Sequence, residues 1–151
     1  MVYLNILLAV FLGDLMIKKY AEANLQEGVR KPILGGRIIL RKIHNDGIAL
    51  GKLSEHKEEV RKGTSVMLIG MLGYFITHLF RQDRNLEKTG LAVFLGGALC
   101  NWFDRFHQKT VTDYFSFNVK QKKLRNLVFN LSDLCIAGGM ILAFIGRMRK
   151  S

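Results

Sequence analysis

Proline and cysteine are almost absent from this chain of 151 residues. The single proline, Pro32, leaves no room for a proline-rich linker or a low-complexity tail. Both cysteines, Cys100 and Cys135, lie inside apolar runs, which argues against a disulfide-stapled secreted domain and against a zinc module. The four histidines lack the spacing of a histidine metal site, so the sequence predicts no bound metal.

Charge is scarce in four long stretches of the sequence, residues 1–17, 63–80, 89–103 and 127–146. Asp14 and Asp133 are the only charged side chains inside them. A helix needs about 20 residues to cross the hydrocarbon core of a bilayer, with about 17 as the lower limit. The segment 63–80 is apolar on all sides, unlike an amphipathic helix of a soluble protein. We therefore expect one all-α membrane domain over residues 1–151, with transmembrane helices at about 1–19, 63–80, 89–105 and 127–147.

The formal net charge of +11 fits either nucleic acid or anionic lipid as a partner. The apolar stretches favour membrane lipid and argue against nucleic acid. Residues 18–62 and 105–126 form the longer loops, and they hold 17 of the 23 basic residues, but the six on the opposite side are more densely clustered. Charge alone therefore does not fix the orientation. The longer loops also contain strand-like sequence at 37–43, a turn at 45–47 and a polar helix at 52–62.

Ionisable residues at membrane depth are costly, so each one marks a candidate site. Asp14 and Lys18 have the i,i+4 spacing of a structural ion pair at the end of the first helix. Asn101, Asp104 and Arg105 share one face at the end of the third helix, where we expect an ion-pair cluster.

Asn130 and Asp133 lie near the start of the fourth helix, and Asp133 has no base near it in the sequence. If the third and fourth helices are antiparallel neighbours, Asp113 and Asp133 meet at one membrane surface. Two adjacent carboxylates do not both ionise readily, so such a pair supplies an acid and a base. That chemistry can activate water for attack on an amide.

Five short motifs in this order resemble bacterial signal peptidase II, the prolipoprotein signal peptidase family. They are Asp14 to Lys18 (D-x-x-x-K), Asn45 to Gly47 (N-x-G), GGALCNWFDR at 96–105, VTDYF at 111–115 and FNLSD at 129–133. The resemblance covers nearly the whole chain. It implies an aspartyl endopeptidase of the bacterial cytoplasmic membrane that cuts before the lipid-modified cysteine of diacylglyceryl-prolipoproteins, without metal or organic cofactor.

By this resemblance, the catalytic dyad is Asp113 and Asp133. The residues that line the site and orient the substrate are Asn45, Gly47, Asn101, Arg105 and Asn130, and Asp14, Lys18 and Asp104 are structural polar residues. Both termini are then cytoplasmic, and the β-containing loop region and the active site face the extracytoplasmic side. We expect a monomer with anionic membrane lipid and prolipoprotein substrates as partners.

Several positions depart from the family pattern, namely Leu15, Ile17, Leu50, Cys100 and Trp102. They leave the two dyad aspartates unchanged but put substrate preference in question. An alternative is a divergent four-span relative that binds lipid-anchored proteins without cutting them, or that cuts with another specificity. Such a protein would tolerate loss of either aspartate.

Overall fold

A computed structural model describes residues 1–45, 57–81 and 83–149. The chain is mostly helical and carries one small sheet. Its elements in chain order are α1 (Val2–Asn24), β1 (Lys31–Ile33), β2 (Ile38–Asn45), α2 (Lys57–Leu79), α3 (Asn85–His107), β3 (Val111–Phe117), α4 (Lys122–Arg125) and α5 (Leu131–Met148). The four long helices correspond to the four apolar stretches of the sequence. Gly47, Leu50 and positions 46–47 of the turn expected at 45–47 lie outside the described residues.

The helix boundaries differ from those expected from the apolar runs. α2 spans Lys57–Leu79, so residues 57–62 of the polar helix expected at 52–62 are continuous with the apolar helix, and residues 52–56 lie outside the described part of the chain. Glu58 and Glu59 occupy its first turn, where acidic side chains favour the positive end of the helix dipole. α5 begins only at Leu131, because Phe129 pairs with Phe115 of β3 through backbone hydrogen bonds.

α3 is the central helix, and α1, α2 and α5 each pack against it. α2 and α5 make no comparable contact with each other among the described residues. The backbones of α3 and α5 approach closely at Gly90 and Gly139, where a Cβ on Gly139 would lie 2.5 Å from the nitrogen of Phe94. Small residues permit such contacts between membrane helices. The apolar core consists of Leu7, Leu68, Phe75, Leu91, Ala92, Phe94 and Leu95.

The strands form an antiparallel sheet in the order β1-β2-β3. The sequence predicts a strand at 37–43, and β2 occupies Ile38–Asn45. In the pairing of β2 with β3, Ile43 lies opposite Asp113 and His44 opposite Thr112. The register shifts between Leu40 and Ile43, which is the mark of a β-bulge. The sheet thereby brings the end of β2 alongside the start of β3.

Of the helices in the described ranges, α5 alone is long and apolar enough, by length and composition, to cross a membrane. α1 and α3 are interrupted by charged residues, including Asp14 and Lys18 in α1 and Glu87, Lys88 and Asp104 in α3. All five of these side chains are buried in the protein. The outward side of α1 is apolar, with Leu4, Leu8, Leu12 and Met16 exposed.

Candidate active site

Asp113 lies in β3 and is only 3% exposed. One carboxylate oxygen, Oδ2, accepts a hydrogen bond of 3.0 Å from the side-chain amide of Asn45 at the end of β2. The other, Oδ1, accepts one of 2.6 Å from the side-chain amide of Asn130. The β2–β3 pairing and the start of α5 therefore hold both oxygens of this carboxylate.

Asp133 lies in the first turn of α5, closer to the helix start than the apolar run suggested. Asn130 is the N-cap, and the two residues form a capping box in which each side chain accepts from the other's backbone N–H. The two hydrogen bonds measure 2.9 Å and 3.0 Å. The i,i+3 spacing noted in the sequence is the signature of this cap.

Asn130 therefore binds both aspartates at once. Its side-chain nitrogen donates to Asp113, while its backbone nitrogen donates to Asp133. Burial and the nearby negative charge of Asp133 raise the pKa of Asp113 to about 7. A large fraction of the Asp113 carboxyl groups is therefore protonated near neutral pH, as the acid of a carboxylate pair must be.

A second chain of contacts reaches Asp133 from α1. Lys18 donates a hydrogen bond of 2.7 Å to the amide oxygen of Asn101. The amide nitrogen of Asn101 in turn donates a hydrogen bond of 3.0 Å to Asp133. Lys18 also forms ion pairs with Asp14 at 3.2 Å and with Asp104 at 2.8 Å. Because the lysine fixes the amide oxygen, the amide nitrogen of Asn101 points at Asp133.

The Asp14–Lys18 ion pair expected from the spacing is present in the structure. It is more buried than the spacing alone indicates, since Asp14 is 0% and Lys18 2% exposed, and a second carboxylate, Asp104, joins it. Burying a cation is costly without partners, and here two carboxylates and an amide compensate it. The expected ion pair within Asn101, Asp104 and Arg105 is absent in the described chain, because Lys18 takes Asp104 as its partner.

Two residues that the sequence interpretation missed complete this buried cluster. The Tyr114 hydroxyl donates 2.8 Å to Asp14, and the Ser132 hydroxyl and backbone nitrogen also donate to Asp14. Each lies next to a dyad aspartate in the sequence, Tyr114 after Asp113 and Ser132 before Asp133. The sequence does show a hydroxyl side chain next to each of the two motif aspartates. It contains no pattern, however, that predicts contact of these hydroxyls with Asp14 of α1.

The two aspartates line a cavity of about 470 Å³, together with Asn45, Asn101 and Arg105. Its other walls are mainly apolar and come from α2, α3, α5 and the segment before α5; they include Met67, Met71, Trp102, Phe129, Ile136 and Met140. Within the described ranges, no three His, Cys, Asp or Glu side chains are grouped as a metal site requires. The cavity is therefore an apolar cleft with two carboxylates and other polar side chains at one end.

Comparison with known proteins agrees with this site and fold. The family model for signal peptidase (SPase) II matches residues 6–149, nearly the whole chain. The chain belongs to the signal peptidase II family. Members of that family are membrane peptidases that process lipoproteins, and the resemblance noted in the sequence is thereby confirmed.

Relatives within the signal peptidase II family include the lipoprotein signal peptidase of Lactobacillus johnsonii, which is 32% identical over 149 residues and covers 95% of this chain and 89% of its own. That of Caldicellulosiruptor bescii is 35% identical over 144 residues, covering 94% and 87%. A bacterial membrane enzyme solved by the in meso method at 1.9 Å shares the fold, with a TM-score of 0.82 and 20% identity over 99% of this chain and 94% of the other.

The departures from the signal peptidase II pattern fall in different surroundings. Cys100 is fully buried, with its sulfur 3.7 Å from Lys18 Nζ. Trp102 lines the cavity, and its indole nitrogen donates 2.8 Å to Ser65 of α2. Ile17 is exposed on α1, and Leu15 is half-buried there. Of these four, Trp102 is the one that forms part of the cavity wall.

Proposed function

We propose that the protein is an aspartyl endopeptidase that removes signal peptides from diacylglyceryl-prolipoproteins by cutting before the lipid-modified cysteine. The observation that carries this proposal is the meeting of Asp113 and Asp133 through Asn130 at the polar end of an apolar cleft. The names of the relatives, lipoprotein signal peptidases, support the same substrate class.

In the proposed reaction, Asp133 takes a proton from a water molecule whose oxygen attacks the scissile carbonyl carbon. Asp113, whose pKa is raised to about 7, donates its proton to the carbonyl oxygen. As the tetrahedral intermediate collapses and the C–N bond breaks, Asp133 passes its proton to the leaving amine and Asp113 takes a proton back from a hydroxyl of the intermediate. Water is thus added across the amide, and the dyad returns to its starting state.

The polar residues around the dyad have supporting roles in this proposal. Asn45 and Asn130 hold Asp113, and Asn101 holds Asp133. Arg105 lines the same cavity and donates a hydrogen bond of 3.4 Å to the backbone oxygen of Asn101. Its positive charge lies close enough to both aspartates to offset the negative charge that develops during the reaction.

The shape of the cleft suits a substrate that is itself held in the membrane. α2 and α5 both pack on α3 without extensive mutual contact in the described residues, so the groove between them opens sideways. Exposed Met67 and Met140 flank it. Methionine side chains adapt to irregular apolar surfaces such as acyl chains. An acylated cysteine can therefore enter from the lipid while its peptide bond reaches the dyad.

We further place four spans in the bacterial cytoplasmic membrane, with both termini cytoplasmic and the sheet and active site on the extracytoplasmic side. Asp14 and Lys18 of α1 and Glu87, Lys88 and Asp104 of α3 are compatible with this, because their side chains are buried in the protein. The chain acts as a monomer in this proposal, since the dyad and the residues that hold it all come from one chain.

Anionic lipid is the partner proposed for the segment before α5. Four basic side chains are exposed there, Lys120, Lys122, Lys123 and Arg125, and none forms an ion pair within the described ranges. No acidic residue occurs between positions 114 and 132, and Leu124 is 48% exposed among these cations. Basic residues next to a membrane span attract anionic head groups by about 1 kcal/mol each.

The test is cleavage by the purified protein of one precursor prepared with and without the diacylglyceryl group. We expect cleavage of the modified precursor alone, and mass spectrometry should find the modified cysteine at the new N-terminus. Binding without cleavage, by a folded protein and across several precursors, would overturn the proposal in favour of a non-catalytic relative. Equal cleavage of both forms would overturn the proposed substrate class.

A further inference from the structure

His44 lies at the end of β2, outside the dyad, and both of its ring nitrogens contact carboxylates. Nε2 lies 2.8 Å from Glu22 of α1, and Nδ1 lies 2.5 Å from Glu27 in the segment after α1. A carboxylate only accepts hydrogen bonds, so both ring nitrogens must carry a proton. The geometry therefore requires the positively charged imidazolium form, and it leaves neither nitrogen free to bind a metal.

This cluster is joined to the active site by neighbouring residues of the two strands. Glu22 accepts a hydrogen bond of 2.8 Å from the hydroxyl of Thr112, the residue immediately before Asp113. His44 in turn precedes Asn45, which donates to Asp113, and His44 lies opposite Thr112 in the strand pairing. Glu22 thus ties β2 and β3 to α1 one residue away from each partner of the Asn45–Asp113 hydrogen bond.

The charges around His44 are few in the part of the chain that the structure describes. Glu22 faces it from α1, Glu27 from the following segment, and Lys42 of β2 pairs with Glu22 at 3.1 Å. β3 contributes Thr112, and the segment after α3 contributes Gln108 through Thr112, both uncharged. Partial burial lowers the pKa of His44, but the hydrogen bonds and charges of the two glutamates outweigh it and raise the pKa above its usual value.

We propose that protonated His44 is a positioning residue, which holds the end of β2 against α1 so that Asn45 keeps its hydrogen bond to Asp113. This inference rests on the proposed function. When His44 loses its proton, one nitrogen becomes an acceptor that faces a carboxylate, and the attraction at that contact is lost. The positioning effect is therefore present at low pH and disappears as pH rises through the raised pKa of His44.

The experiment compares kcat of His44→Gln with wild type on the modified precursor between about pH 5.5 and pH 9. Titration of the dyad lowers the rate of both proteins at high pH, so the two rates are compared as a ratio at each pH, and the NMR titration of the His44 ring separates its effect from a shift in the pKa of Asp113. We expect the variant to be slower at low pH, by roughly threefold to tenfold, and to approach wild type at high pH. His107→Gln is the matched control, because His107 is exposed and stacks on Phe103; its ratio should stay near one throughout.

A ratio for His44→Gln that is the same at every pH would overturn the inference, since a merely structural role predicts a constant loss. The pKa of the His44 ring, measured by NMR in detergent, is a readout independent of cleavage. We expect it above the usual value of about 6.5 and lower in Glu22→Gln. A wild-type ring pKa at or below 6.5 would overturn the inference even if the enzyme is active. Absence of cleavage by wild type would instead contradict the proposed function.

Discussion

The side-chain amide of Asn130 donates a hydrogen bond of 2.6 Å to Asp113, from a different element of the fold. Asn130 also begins α5, and its cap fixes Asp133 in the first helical turn. One residue thus combines a structural role at a helix end with the relative placement of two carboxylates. This relationship makes separate predictions for stability and for activity.

Asn130→Ser and Asn130→Ala should both lose activity but differ in stability. Serine caps a helix about as well as asparagine but cannot reach Asp113, whereas alanine loses the cap as well, at about 0.5–2 kcal/mol. Both should lower kcat by roughly tenfold to a hundredfold, the effect of one hydrogen bond to a charged group. Cleavage rates and thermal unfolding in detergent check this. Wild-type activity in the serine variant would show that the bond to Asp113 is dispensable.

The pH dependence of kcat/KM should report Asp113. Since its pKa is raised to about 7 and the reaction needs its protonated form, kcat/KM should fall as pH rises above about 7. The hydrogen bond from Asn45 favours the ionised carboxylate and lowers this pKa. Asn45→Ala should therefore move the alkaline limb to higher pH, besides reducing the rate. A limb that moves to lower pH would contradict this assignment.

Lys18→Met should destabilise the protein by about 3–5 kcal/mol, because it leaves the buried carboxylates of Asp14 and Asp104 without their cation. Lys19 is the neighbouring lysine and is exposed, so Lys19→Met is the matched control and should change stability by no more than about 0.5 kcal/mol. Unfolding in detergent measures both. Equal stability of the two variants would show that the buried network contributes little.

Adjacent glycines of α5 should respond oppositely to alanine. A Cβ at Gly139 would lie 2.5 Å from the backbone nitrogen of Phe94, so Gly139→Ala must separate α3 from α5, at about 1–3 kcal/mol. A Cβ at Gly138 meets nothing within 4 Å, so Gly138→Ala should be neutral or slightly stabilising. Thermal unfolding of the two variants measures this difference, and a loss of stability in both would contradict the close packing of α3 against α5.

The sequence was sufficient to predict the elements that bear strong local patterns. Four apolar stretches marked the four long helices, and the β-branched residues near Ile38 marked β2. The sequence allowed Asp113 and Asp133 to lie at one membrane surface, and both line the same cavity; their action as a catalytic dyad stays a prediction. Helix limits were less accurate, because tertiary contacts such as the Phe129–Phe115 pairing decide where α5 begins.

The sequence did not predict the polar contacts between residues that are far apart in the chain. Lys18 was paired with Asp14 from their spacing, yet its closer carboxylate is Asp104, which is 86 positions away and reached only because α1 packs on α3. Ser132 and Tyr114 carry hydroxyls that fit many surroundings, so their sequence context did not assign them to Asp14. His44 gave no signal either, since Glu22 and Glu27 approach it only in the folded chain.

The most direct test of the account is the rate of precursor cleavage by Asp113→Asn and Asp133→Asn, with Asp83→Asn as the matched control. Asp83 is exposed in the short connection between α2 and α3, away from the dyad. We expect each dyad variant to fold, as thermal unfolding should show, and to lose roughly a thousandfold or more in rate, while the control stays near wild type. Retention of more than about a tenth of the wild-type rate by either folded dyad variant would contradict the two-aspartate mechanism.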